Sequence, residues 1–271
     1  MILPKKCSIS LEQAEAQMLF NEWNERDDIV ILDTETTGLY GEICEISVID
    51  RHGNVLFDSL VKPVDPIPGE ATFIHGITNE MVEGAPSWPE VWKKLYGVIK
   101  DKLILIYNSE FDVRLMEESF DPYEEEIGFG EIEDLKEQVW ELQTQCVMKT
   151  YAQLVGSQRW LKLTEACGYA TEHRALSDCK ATLDVIKKCY KPEFTQRDFE
   201  LVKWWDELES TSRRIRYLNH RIRELTEEQA ELLKKQKQLL QRLVTDEASK
   251  EVAASVSEDP PTDISDDDLP F

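Results

Sequence analysis

The chain has 271 residues, with 54 Asp and Glu against 31 Lys and Arg and a formal net charge of −23 at pH 7. That length suits one substantial core plus an appendage, no run reaches the ~18 consecutive apolar residues of a membrane-spanning helix, and Met1-Ile2-Leu3-Pro4-Lys5-Lys6 lacks the apolar centre of a secretory signal. The six cysteines (Cys7, Cys44, Cys146, Cys167, Cys179, Cys189) form no C-x-x-C pair and there are four His, so no zinc or His-rich metal site is expected; buried free thiols in a reducing cytoplasm are.

In chain order, Ser10 to Arg26 reads as an amphipathic helix with Leu11, Ala14, Met18 and Leu19 on one side. Ser10 is its N-cap and Gln13 completes a capping box. Strands are predicted at 28–34, 43–50 and 54–62, with Asp50-Arg51-His52-Gly53-Asn54 as the hairpin turn between the last two. Helices follow near 88–101, 109–118, 134–141, 146–154, 160–167 and 176–190, with a strand at 102–107. An acidic insertion from Asp121 to Glu137 reads either as a mobile flap or as a solvated loop and helix.

Three segments carry carboxylates in suggestive places. The apolar run Ile29-Val30-Ile31-Leu32 leads into Asp33-Thr34-Glu35-Thr36-Thr37-Gly38. A strand has a side-chain period of two, so Asp33 and Glu35 point to one face. Like charges that close raise each other's pKa. A divalent cation between them removes the conflict, and hard carboxylate oxygens suit Mg²⁺ or Mn²⁺. In the second segment the apolar run Leu103-Ile104-Leu105-Ile106 ends at Asn108, an acceptable N-cap, with Asp112 four residues on, near the strand end. In the third, His173-Arg174-Ala175-Leu176-Ser177-Asp178 precedes a helical pattern, and a bend there lets His173 and Asp178 converge.

Asp33 with Glu35, then Asp112, then Asp178 with His173 five residues before it, resemble the three motifs of the DEDDh 3′–5′ exonucleases of the ribonuclease H-like superfamily. His75-Gly76-Ile77-Thr78 with Met81 and Pro86 is similar to that family's HGIT loop, and Leu161 to Gly168 to the helix before its third motif. The resemblance spans residues 28–190. It implies an α/β fold, a ribonuclease H-like mixed sheet flanked by helices, with one more short strand near Cys146. It also implies two-metal phosphodiester hydrolysis: Asp33, Glu35, Asp112 and Asp178 hold two Mg²⁺ or Mn²⁺ ions roughly 4 Å apart. One ion acidifies the attacking water and the other stabilises the leaving 3′-oxygen. His173 is then the general base, and the product is a nucleoside 5′-monophosphate cut from a free 3′ end. Backbone from Thr36 and Thr37 through Gly38 to Leu39 is expected to line the terminal base and sugar, with Asn108 beside it. His75 has a place near the terminal nucleotide or a packing role. DNA is the expected substrate and RNA ends the alternative. A non-catalytic adaptor is a third reading, opposed by the presence of all four carboxylates and His173.

The net charge is awkward for a nucleic-acid enzyme. Residues 246–271 carry −8 and residues 197–245 carry +2, which leaves −17 of the total −23 for residues 1–196. Lys149, Arg159, Lys162, Arg174 and Lys180 lie in the second half of the site's sequence and read as phosphate contacts or as solvated surface charges.

The expected organisation is an N-terminal helix over 1–27 packed on the core, the exonuclease domain over 28–193, a coiled-coil helix over 197–245 and a disordered acidic tail over 246–271. Along the helix Leu201, Trp204, Leu208, Thr211, Ile215, Leu218, Ile222, Leu225, Gln229, Leu232, Gln236, Leu239 and Leu243 step by three and four, an a/d stripe. Trp205, Leu233 and Leu240 at e positions widen it. Parallel or antiparallel homodimerisation is expected, with folding back onto the exonuclease domain as the alternative. Arg213, Arg214, Arg216, Arg221 and Arg223, with Tyr217 and His220, suit either DNA or salt bridges with the Glu-rich stretch 224–231, which an antiparallel pairing brings opposite. The final Asp266-Asp267-Asp268-Leu269-Pro270-Phe271 resembles the tip of bacterial single-stranded-DNA-binding proteins. That resemblance implies docking on helicases and repair factors that recognise such tips; the alternative is a solubilising tail.

Overall fold

The β-branched run at Ile29 opens β1 (Ile29–Thr36), the central strand of a five-stranded sheet of order β3–β2–β1–β4–β5 in the computed structural model, which describes residues 8–245. β2 (Ile43–Asp50) and β3 (Val55–Leu60) run antiparallel, joined by a turn in which the Asp50 carboxylate accepts from the backbone N–H groups of His52 and Asn54. β4 (Leu103–Ile106) and β5 (Gln143–Cys146) lie parallel to β1 on its other side. The mixed sheet and the short strand ending at Cys146 are those expected from the sequence.

Alternate residues of β1, β2 and β4 feed two cores. Val30, Leu32, Ile46, Val48, Ile104 and Ile106 pack under α4 (Trp88–Ile99), α5 (Ser109–Glu118) and α7 (Phe129–Trp140). Ile29, Ile31, Ile49, Leu103 and Leu105 pack under α1 (Leu11–Glu25), α8 (Val147–Val155), α9 (Leu163–Cys167) and α10 (Ala175–Lys188). The capping box of α1 forms as predicted: Ser10 N–H donates to Gln13 Oε1 at 3.0 Å and Gln13 N–H to Ser10 Oγ at 3.2 Å.

Three short helices fall outside the sequence expectations: α2 (Gly69–His75), α3 (Asn79–Val82) and α6 (Glu124–Ile127). The acidic insertion is no flap. A 3-10 turn (Asp121–Tyr123), α6 and α7 run through it, and Tyr123, Ile132, Leu135 and Val139 are buried in the first core. Its acidic residues obscured an apolar spacing of three and four, so α7 starts earlier than predicted.

One unit of the chain extends to Asp206 and a second starts at Glu207. α11 (Gln196–Thr245) is a single 50-residue helix, and Leu208, Ile215, Leu218, Ile222, Leu225, Leu232 and Leu239 of its a/d stripe are exposed. Among the described residues no helix is long and apolar enough to cross a membrane. The first seven residues and 246–271, including the expected disordered tail and its Asp266–Phe271 tip, lie outside the described residues.

Candidate active site

Asp33 and Glu35 stand on one face of β1, paired across β2 with Ser47 and Glu45. The ladder shifts register just after Glu35, a local irregularity of the kind that re-aims side chains beside active sites. α10 lies against β1 and β2, its Cys179 Sγ reaching the carbonyls of Ile31 and Ser47. This packing delivers Asp178, in the first turn of α10, to the strand face. Carboxylate oxygens of Asp33, Glu35 and Asp178 lie within 4.8 Å of one another. Asp178 Oδ1 is buried without a hydrogen-bond partner. Asp112 arrives from α5, which starts where β4 ends beside β1; it is 4% exposed, and Thr34 Oγ1 donates to it at 2.7 Å.

This cluster opposes its own ionisation. Burial and the charges of Asp112, Asp178, Glu35 and Glu45 push Asp33 far above the carboxylate range. Burial, then Asp178 and Glu45, raise Glu35 to about 8. Burial lifts Asp112 to about 7 against the hydrogen bond from Thr34. Asp178 is also raised, chiefly by burial, with His173 acting in the opposite direction. An all-carboxylate donor set with an orphaned buried oxygen fits a divalent cation, which supplies the missing positive charge and a partner for that oxygen.

His173 sits exposed at the entry to α10 with φ 50°, in the left-handed region. A non-glycine residue there is unusual and costs about 1 kcal/mol or more. The next residue anchors the same entry: Arg174 holds the buried Glu45 through Nε, at 3.1 and 3.0 Å from its two oxygens, and through Nη2, and the Ala175 N–H also donates to Glu45 at 2.9 Å.

The exonuclease family model matches residues 30–186. The chain belongs to the exonuclease family. It is 38% identical over 193 residues to a protein described as an uncharacterized exonuclease, CP81 of Escherichia phage 186, an overlap covering 66% of this chain and 95% of that one. The DNA polymerase III subunit epsilon of Buchnera aphidicola subsp. Schizaphis graminum is 32% identical over 109 residues, 36% of this chain and 47% of the relative. Among solved structures, exonuclease X in complex with 5′ overhanging duplex DNA is 26% identical with a TM-score of 0.44, covering 59% of this chain and 90% of that chain. The nuclease domain of 3′hExo, a DEDDh family member bound to rAMP, is 19% identical with a TM-score of 0.42, covering 60% and 92%.

In this exonuclease the segment after Glu35 is tightly held. Thr36 Oγ1 donates to the Gly38 carbonyl at 3.0 Å, and Thr37 exchanges bonds with Glu42, its N–H donating to the Glu42 carbonyl and its Oγ1 accepting from the Glu42 N–H. Gly41 closes the turn against Thr37 so closely that an added Cβ would stand 2.1 Å from Thr37 Oγ1. Arg114 of α5 donates to the Leu39 carbonyl at 2.7 Å and lies over the Tyr40 and Phe111 rings. Leu39 and Tyr40 are 71% and 89% exposed.

His75 is buried and engaged at both ring nitrogens. Nδ1 accepts from the Ile77 N–H at 3.0 Å, so Nε2 carries the proton and donates to the Thr36 carbonyl at 3.3 Å. Burial lowers its pKa. The HGIT segment is thereby tied to the end of β1. Asn108 is the N-cap residue of α5, but its side chain makes no capping bond.

Sequence reasoning missed Thr34, Glu45, Gly41 and Arg114. Thr34 and Glu45 carried a signal: Thr34 lies between the two motif carboxylates, and Glu45 falls opposite Glu35 once the hairpin register is drawn.

Proposed function

We propose that this exonuclease removes nucleotides from a free 3′ end of DNA and releases nucleoside 5′-monophosphates. The observation that carries the reading is the convergence of Asp33, Glu35 and Asp178 around a buried, unpartnered oxygen, with Asp112 alongside. In this reading the four carboxylates hold two Mg²⁺ or Mn²⁺ ions, which when bound supply positive charge at the scissile phosphate and acidify a water. His173 takes the proton of the attacking water; it is exposed, so it can reach solvent and substrate at once. Thr36 to Leu39, braced by Gly41 and Arg114, receive the terminal base and sugar, with Asn108 beside them.

DNA is favoured over RNA because relatives of this chain are named as DNA polymerase III subunits. We also propose that the Asp266–Phe271 tip engages proteins that recognise the tail of single-stranded-DNA-binding protein, helicases and repair factors among them, in a bacterial or phage-infected cytoplasm. The support is its acidic run followed by Leu269, Pro270 and Phe271. A Phe beside an acidic run can fill an apolar pocket while basic residues meet the carboxylates.

The test is digestion of labelled single-stranded DNA, duplex DNA and RNA in Mg²⁺, with product identification. Mononucleotides appearing from the 3′ end of DNA support the reading; cleavage from the 5′ end, or of RNA alone, refutes it. Asp33→Ala should remove the activity and leave tail binding intact. Deleting Phe271 should abolish tail binding and leave digestion of a short strand intact.

A further inference from the structure

From Glu207 onward α11 presents apolar residues along one side to solvent, Ile222 at 60% exposure near the middle. A helix with such a stripe needs a partner. We infer that α11 pairs with α11 of a second copy of this chain, antiparallel, about a two-fold axis between Arg223 and Glu224.

The stripe itself is symmetric about that point. Leu208, Ile215, Ile222, Gln229 and Gln236 occupy a positions, and Thr211, Leu218, Leu225, Leu232 and Leu239 occupy d positions. Reversing one helix makes every a position meet a d position. With the axis between Arg223 and Glu224, Ile222 meets Leu225 of the second copy, Ile215 meets Leu232 and Leu208 meets Leu239. Thr211 meets Gln236, a polar pair that can hydrogen-bond, and Leu218 covers Gln229. No stripe residue from Leu208 to Leu239 is left over. At 1.5 Å per residue the paired stretch is about 46 Å long.

The charges follow the same axis. Residues 213–223 hold five Arg and no acid, and the axis lays them against residues 224–234 of the second copy, which hold four Glu and one Lys. The g positions, which flank the seam, face one another in an antiparallel pair. Arg221 then meets Glu228 of the second copy, and Glu207 meets Arg242. Arg214 meets Lys235, the one like-charge meeting, and the Arg214 guanidinium is turned over the Tyr217 ring, 5.3 Å from its centre. In a parallel pair g positions face e positions, so Arg221 would meet Thr226 and Glu228 would meet Leu233, with no ion pair gained. Flanking charges of this kind set orientation. Arg221 already reaches Glu224 of its own helix at 2.9 Å, which leaves it on the flank that Glu228 approaches.

The test is sedimentation equilibrium of the full chain with charge-swap variants, together with disulfide mapping. The wild type should be a dimer. Arg221→Glu places like charges at two symmetry-related positions and should raise the dimer dissociation constant about ten-fold. Arg221→Glu with Glu228→Arg should restore it. When Ile215→Cys and Leu232→Cys proteins are mixed and oxidised, the linked peptides should join position 215 to position 232. A monomeric wild type overturns the inference, and so do 215-to-215 links, which mark a parallel pair. It is equally overturned if Arg221→Glu weakens retention of single-stranded DNA without changing the oligomeric state, since the Arg row then serves nucleic acid.

Discussion

Glu35→Gln tests whether the carboxylate cluster is held in an electrostatically unfavourable state. Glu35 titrates at about 8 rather than 4.5, because burial and the charges of Asp178 and Glu45 oppose its ionisation. Its folded-state pKa lies above its unfolded value, so between these pH values the folded protein binds the extra proton. The associated stability is fully present below pH 4.5 and is lost as pH rises through about 8. At about 1.4 kcal/mol per pKa unit the full effect is about 5 kcal/mol. Glu35 is partly exposed, and solvent screening reduces that to roughly 2 kcal/mol. Gln keeps the shape and removes the charge. In EDTA at pH 8.5 the variant should therefore be more stable than the wild type by roughly 2 kcal/mol, about 4–8 °C in Tm for a domain of this size. At pH 4.5 the two should coincide. In Mg²⁺ the order should reverse, because the carboxylate then contributes to cation binding. Urea denaturation across pH with and without EDTA measures all of this. A variant no more stable than the wild type at pH 8.5 in EDTA would refute the reasoning.

Asp112→Asn should lower exonuclease turnover about a thousand-fold, about 4 kcal/mol of lost transition-state stabilisation, with an unchanged circular dichroism spectrum; activity within ten-fold of wild type would remove Asp112 from the site. Thr34→Val deletes the hydrogen bond that holds Asp112 down, so Asp112 rises further above about 7. Calorimetry should then show Mg²⁺ affinity weakened at pH 7 and recovering toward pH 9. Arg174→Ala strands the buried Glu45 without its cation and should cost about 3 kcal/mol or more of stability in urea. Gly41→Ala drives a methyl group into Thr37 Oγ1. It should cost about 1–3 kcal/mol and raise KM for a short DNA strand more than it changes kcat, since it disturbs the loop and not the carboxylates.

The strands and the long helices were legible because their signals are local. Ile29 to Leu32 and Leu103 to Ile106 are short, wholly apolar runs, and Ser10 with Gln13 makes a cap that needs no tertiary partner. Asp33 and Glu35 were legible for the same reason, since a two-residue period fixes their common face. α2 was not, because a seven-residue helix between Pro68 and Gly76 offers no periodicity to count. Only the start of α7 was hidden, because Glu131, Glu133 and Asp134 flank Ile132 and mask its spacing to Leu135 and Val139 without displacing these three from the core. Arg174 shows the limit most clearly. Next to His173 it reads as a phosphate contact or a solvated surface charge, yet its partner is 129 residues away in sequence.

That partner explains how the site tolerates so much negative charge. Glu35 and Glu45 face each other across β1 and β2, chemically equivalent in the sequence and separated only by what α10 brings. Glu45 accepts the Arg174 fork and the Ala175 N–H, and is neutralised by the chain itself. Arg174 favours the charge of Glu35 only weakly beside what it does for Glu45, which leaves Glu35 for a ligand. The pair at Glu45 also fixes the start of α10, so the neutralised carboxylate positions Asp178 against the unneutralised ones. An acidic residue one strand over thus acts as an anchor because its charge is met within the fold. Asp33, Glu35 and Asp178 are available for a cation because theirs is not.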